Sequence, residues 1–118
     1  MPYKCRTKIW VTDDANNVIF GMGRVKILEA IELHGSINAA AKSLKMSYRA
    51  VWGRIKATEE RLQKKLIVRT TGGADGGGST LTPYARDLIR AFKVFRRQVI
   101  TEADASFDER LASKLPSE

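Results

Sequence analysis

A chain of 118 residues with 21 Lys or Arg against 13 Asp or Glu carries a formal charge of +8, and 43% of it is apolar. That length fits one core with at most an appendage, the apolar share excludes wholesale disorder, and no apolar run reaches the roughly 18–20 residues that span a bilayer. What remains is a small basic domain suited to a polyanionic partner.

In chain order, residues 4–12 hold the β-prone run Ile9, Trp10 and Val11. The turn-forming Asp13-Asp14-Ala15-Asn16-Asn17 follows, then Val18-Ile19-Phe20, so a hairpin is predicted. Residues 24–34 place Ile27, Leu28 and Ile31 at helical spacing, with Gly35 as the stop. Ser36 is a good N-cap for a second helix in which Ile37, Ala40, Ala41 and Leu44 recur on one face. The small Ala39-Ala40-Ala41 triplet lets another helix cross closely. After the short turn Lys45-Met46-Ser47, Ser47 can cap a third helix over residues 48–65, with Val51, Ile55, Thr58 and Leu62 inward. Two helices joined this tightly predict a helix-turn-helix.

Residues 66–70 then read as a strand, and Ser79-Thr80-Leu81 as its return. Between them lies a tip holding five of the nine glycines, an arrangement that predicts a wing. Thr82-Pro83 opens a long helix to about residue 100, on which Ala85, Leu88, Phe92, Phe95 and Val99 form a heptad seam expected to join two protomers. Ser106-Phe107-Asp108-Glu109 resembles a capping box, predicting a separate last helix with Phe107, Leu111 and Leu115 on one side.

The charge is uneven along these elements. Residues 36–97 contain fourteen basic and four acidic side chains, a net +10, while the last 21 residues come to −3. Such concentration suggests one dedicated surface, although a solvated face would also account for it. On the third helix, Tyr48, Trp52 and Lys56 recur at every fourth position, with Arg49 and Gly53 alongside. An aromatic and basic face of this kind suits a major groove, where Arg49 can offer paired donors to a guanine edge and Tyr48 and Trp52 meet thymine methyls or phosphates. A core position is the other reading of Trp52. Gly53 costs the helix about 1 kcal/mol relative to alanine, a cost that close approach to DNA or to another helix would explain.

Catalysis has little support. The glycine-rich tip lacks the lysine of a phosphate loop, because Ser79 stands in its place, and it leads into a strand and not a helix. The adjacent Glu59 and Glu60 point apart on a helix, and His34 at a helix end is a dipole-favouring cap. The lone Cys5 and lone His34 exclude a disulfide framework or a Cys/His metal cluster, so no catalytic residue, metal or cofactor is expected. The start of the chain shows basic residues without an apolar stretch behind them, so no secretory signal is read and a cytoplasmic location is expected.

The run from Gly35 through Ala39-Ala40-Ala41 to Met46-Ser47-Tyr48-Arg49-Ala50-Val51-Trp52 resembles the helix-turn-helix of LysR-type regulators. With Thr71-Gly72-Gly73 through Gly76-Gly77-Gly78 in the wing and Leu81-Thr82 followed by Tyr84, it is more specifically similar to the N-terminal domain of the ModE family of molybdate-responsive regulators. The resemblance spans roughly residues 20–99 and implies a dimeric winged-helix protein on a palindromic operator. Residues 47–56 would be the base-reading helix, residues 69–80 the wing, and residues 82–100 the dimer helix. The molybdate-binding domains of that family have no counterpart in the 118 residues, so a separate molybdate-binding protein is a candidate partner.

The expectation is therefore a mainly α fold with small β: a winged helix-turn-helix with an N-terminal hairpin and a long C-terminal dimerisation helix, divided into residues 1–81 and 82–118. Its expected function is sequence-specific regulation of transcription as a homodimer on double-stranded DNA, without a membrane. Expected DNA contacts are Ser47, Tyr48, Arg49, Trp52, Gly53 and Lys56 on the reading helix, and Lys42, Arg54, Lys64 and Lys65 on phosphates. The wing adds Arg69, Thr71, Gly72, Gly73, Gly76, Gly77 and Gly78. The rival is a winged-helix adaptor that docks a protein on the Tyr48/Trp52 face.

Overall fold

The computed structural model describes residues 2–70 and 77–116. Strand β1, Trp10–Thr12, pairs antiparallel with β2, Val18–Gly21. The Asp13 carboxylate closes their turn by accepting from the Ala15 and Asn17 N–H groups, both at 2.9 Å. Those bonds, the one from Asn17 first, hold Asp13 below the usual carboxylate range. Helix α1, Met22–His34, follows β2 without a gap and ends at Gly35, whose φ of 82° is open chiefly to glycine.

Helix α2, Ile37–Leu44, starts where the Ser36 hydroxyl accepts from the Ala39 N–H, and α3, Tyr48–Leu62, starts where the Ser47 hydroxyl accepts from the Ala50 N–H. Helix α3 stops three residues before the expected end because Gln63 turns left-handed at φ 54°. The wing is β3, Ile67–Thr70, antiparallel to β4, Gly78–Leu81, in the register Ile67 opposite Leu81 and Thr70 opposite Gly78. Its return strand is pinned to the α1–α2 turn, since the Ser79 N–H donates to the Gly35 carbonyl at 2.8 Å. A Cβ on Gly78 would lie 2.5 Å from that same oxygen, so only glycine lets β4 come this close.

Helix α4, Pro83–Arg110, is continuous over 28 residues and is followed by a short 3-10 turn, Ala112–Lys114. The expected capping box at Ser106 is thus corrected. No Gly or Pro lies between Ile100 and Ser106, so intrahelical bonds continue and the backbone N–H groups a cap would satisfy already have partners.

One core joins α1, α2, α3, the wing and the first half of α4, with Leu28, Ile31, Val51, Ile55 and Leu66 fully enclosed. Ala85, Ile89 and Phe92 of α4 belong to it, and Phe92 meets Phe20 edge to face at 5.5 Å. The radius of gyration, 18.2 Å, exceeds the roughly 13.5 Å of a compact chain of this length because the far half of α4 projects. Beside that half runs residues 2–9, in which half-buried Cys5, Thr7 and Ile9 alternate with exposed Lys4, Arg6 and Lys8. The Tyr3 hydroxyl holds the segment's start by donating to the Pro116 carbonyl at 2.6 Å.

Where α3 meets the wing, Glu59 is 6% exposed. Its Oε2 accepts from the Leu66 N–H at 2.8 Å and the Ile67 N–H at 3.3 Å. Its Oε1 makes no hydrogen bond and lies 3.3 Å from Lys56 Nζ and 4.0 Å from Lys65 Nζ, which offset the buried charge. Replacing Glu59 by Ala strands two enclosed donors, so it is expected to lower unfolding free energy by about 2–3 kcal/mol. Urea denaturation followed by far-UV circular dichroism measures this, and a loss below about 0.5 kcal/mol would refute the role.

Candidate nucleic-acid interface

Helix α3 turns 100° per residue, so the direction opposite its buried Val51, Ile55 and Thr58 is occupied by Arg49 and Gly53, with Lys56 beside them and the exposed Glu60 in the same direction two turns beyond Gly53. Tyr48 and Trp52, 42% and 39% exposed, lie on the flank nearer the wing and not squarely outward. Lys56 Nζ lies 5.8 Å from the Trp52 ring centroid, so cation and aromatic ring share one patch. Tyr48 is tied to the wing: its hydroxyl accepts from Arg69 Nη2 at 2.6 Å. Together Tyr48, Arg69, Thr70 and Gly77 line a cleft of about 210 Å³ with Ser36 and Asn38 at the start of α2.

A Cβ added at Gly53 would meet nothing within 4 Å. Close packing on another helix therefore does not explain this glycine, and the notch it leaves faces outward.

The expected phosphate contacts divide. Lys42 on α2 and Arg54 on α3 are exposed. Lys64 lies over the Tyr84 ring at 5.7 Å, and Lys56 and Lys65 both lean on Glu59, so these three have structural duties as well. Ser47 serves as the cap of α3. In the wing Arg69, Gly77 and Gly78 are placed as described, with Gly77 at φ 107°. Thr71, Gly72, Gly73 and Gly76 lie outside the described residues.

The expected protomer seam also divides. Ala85 and Phe92 are enclosed in the protomer's own core and Leu88 packs against it, because the first half of an amphipathic helix satisfies its own domain first. Phe95 and its neighbour Val94 stay 47% and 56% exposed, with Val99 half-buried further along.

Sequence reasoning missed the contacts that orient α3. Arg24 Nε on α1 donates to the Thr58 hydroxyl at 2.9 Å, and Arg61 Nη1 donates to the Val18 carbonyl at 2.7 Å. Burial, then the like charges of Arg54 and Arg61, hold the Arg24 guanidinium below the usual arginine range. Among the described residues, no group of three or more His, Cys, Asp or Glu could hold a metal ion, and no helix is long and apolar enough to cross a membrane.

Comparison with known proteins agrees with this geometry. Residues 22–86 match the family described as bacterial regulatory helix-turn-helix protein, lysR family. The chain is 43% identical over 70 residues to the molybdenum transport protein ModE of Azotobacter vinelandii, covering 59% of this chain and 26% of that protein. It is 40% identical over 74 residues to the transcriptional regulator ModE of Haemophilus influenzae, covering 63% and 29%. The chain thus spans between a quarter and a third of these relatives' length. Among solved structures, the crystal structure of the CbnR_DBD-DNA complex shares the fold with a TM-score of 0.55 at 23% identity, covering 81% of this chain and 100% of that one.

Since the added methyl has open space, Gly53→Ala should raise unfolding free energy by about 0.5–1 kcal/mol through helix propensity alone. Chemical denaturation of both proteins tests this; a destabilised variant would mean that the notch is filled from within.

Proposed function

Because the chain belongs to the LysR family of bacterial regulatory helix-turn-helix proteins, we propose that it is a sequence-specific, DNA-binding transcription regulator without catalytic activity. The observation that carries this reading is the outward face of α3, where Arg49, the Gly53 notch and Lys56 lie opposite the core, beside the aromatic flank of Tyr48 and Trp52. A helix so shaped enters a major groove. Arg49 then reads a base edge, Gly53 lets the helix backbone approach, and Lys42 and Arg54 neutralise phosphates. The wing reaches the neighbouring backbone or minor groove.

Residues 1–81 form the reading unit in this proposal, and residues 82–118 the dimerisation unit. The chain works as a homodimer in the cytoplasm on a palindromic operator, with half-sites about one DNA turn apart. Val94, Phe95 and Val99 on the projecting half of α4 carry the protomer contact. The ModE names of the relatives support a molybdenum-related role, with the oxyanion recognised by a separate molybdate-binding protein.

Binding to a duplex selected from a randomised pool, and to a shuffled duplex, measures the two kinds of contact separately. Arg49→Ala should cost about 1–3 kcal/mol on the selected duplex and relax its base preference. Lys42→Ala should weaken both duplexes alike and reduce the slope of log affinity against log salt by about 1. Binding that ignores salt would favour the adaptor that docks a protein on Tyr48 and Trp52. For the dimer, Phe95 is 47% exposed and its ring lies 6.4 Å from that of the core's Phe92; Phe95→Asp, with thermal unfolding measured to show that the fold survives, should convert a dimer to a monomer in sedimentation equilibrium at micromolar concentration. An unchanged mass would remove α4 from the interface.

A further inference from the structure

Tyr48 is the first residue of α3 and Arg69 the third of β3, yet the two side chains meet at 2.6 Å across 21 positions of sequence. Both are exposed, so burial does not force the contact. The geometry fixes its direction: the guanidinium donates and the phenol oxygen accepts. Among the described residues that leaves the phenol proton free to donate, together with the remaining N–H groups of a guanidinium whose five donors are laid out in a plane. A phenol oxygen that accepts from a cation becomes a stronger donor through its own proton. The partner is also neutral, so the Arg69 charge is not cancelled by it.

The two groups stand at the cleft shared by the wing, α3 and the start of α2, which Ser36, Asn38 and Thr70 also line. Adjacent donors, one of them charged, match an acceptor with two oxygens and a negative charge. A phosphodiester has that form.

We propose that Tyr48 is a positioning residue, which holds Arg69 against the first turn of α3 so that guanidinium and phenol proton together take one phosphate of the DNA backbone. The inference rests on the DNA-binding reading above and narrows the part of Tyr48 within it, from meeting thymine methyls or phosphates by itself to sharing one phosphate with the Arg69 it holds. A long, exposed arginine otherwise loses much rotamer freedom when DNA arrives; the hydrogen bond removes part of that loss beforehand. It also couples the wing to the reading helix, so that both meet the duplex in one register.

The test is a double-mutant cycle on the full chain with Tyr48→Phe, Arg69→Ala and the pair, using the selected and shuffled duplexes at fixed salt. Phenylalanine keeps the ring and removes only the hydroxyl, so thermal unfolding midpoints should stay level. Tyr48→Phe should weaken both duplexes by the same factor, about three- to tenfold, leaving their ratio unchanged. In the Arg69→Ala background its effect should shrink, because the phenol proton then meets the phosphate without the cation that holds it in place. A change in the ratio of the two duplexes, or an effect of Tyr48→Phe that multiplies fully with Arg69→Ala, would overturn the positioning role and leave the regulator reading standing. Failure of the unaltered chain to bind either duplex at low salt would sink both.

Discussion

Glu59 receives the backbone N–H groups of Leu66 and Ile67 where the chain leaves α3 for the wing, a turn that would otherwise enclose two donors without acceptors. Thr82 locks the same junction from the other side, its N–H donating to the Leu66 carbonyl at 3.0 Å and its hydroxyl to the Lys65 carbonyl at 2.8 Å. That hydroxyl also caps α4, accepting from Ala85. The end of α3, the base of the wing and the start of the long helix are therefore set by one small polar cluster. Move the carboxylate and all three directions change together.

The cluster explains how a shallow wing of two four-residue strands keeps a fixed place beside α3. A two-stranded sheet is marginal by itself. This one is fastened at its base by Glu59, at its return strand by the Gly35 carbonyl, and at its flank by Tyr48. The positive charge rides on that frame. On the opposite flank of α3, Arg54 and Arg61 lie near enough to Arg24 of α1 for the like charges to act on one another.

Local chemistry made most of this architecture legible in the sequence. Ser36, Ser47 and Thr82 are hydroxyl caps whose bonds reach three residues onward, and Gly35 has a left-handed conformation that its position announced. What stayed hidden depends on partners far along the chain. The stripe of Ile55 and Leu62 puts Glu59, and not its neighbour Glu60, toward the inside, but nothing within a turn of helix names the Leu66 and Ile67 N–H groups that its carboxylate receives. The bonds of Tyr48 to Arg69 and of Tyr3 to Pro116 exist only once the fold has closed. The capping-box pattern at Ser106 misled for a related reason: a cap forms only where the helix is free to begin, and α4 was already running. The heptad seam was visible as spacing, but spacing does not say which members the protomer keeps for its own core.

The continuity of α4 also has a mechanical consequence. From Phe92, the last member of the core on this helix, to Arg110 there is no break in the backbone bonding. That stretch acts as a stiff arm of about 27 Å at 1.5 Å per residue. A tilt of about 10° where the arm is gripped displaces its far end by about 5 Å, comparable with the rise of one helical turn. Whatever holds the outer end therefore governs where the inner end points, and the angle at which α4 leaves the wing junction can change without any change in the side chains of α3.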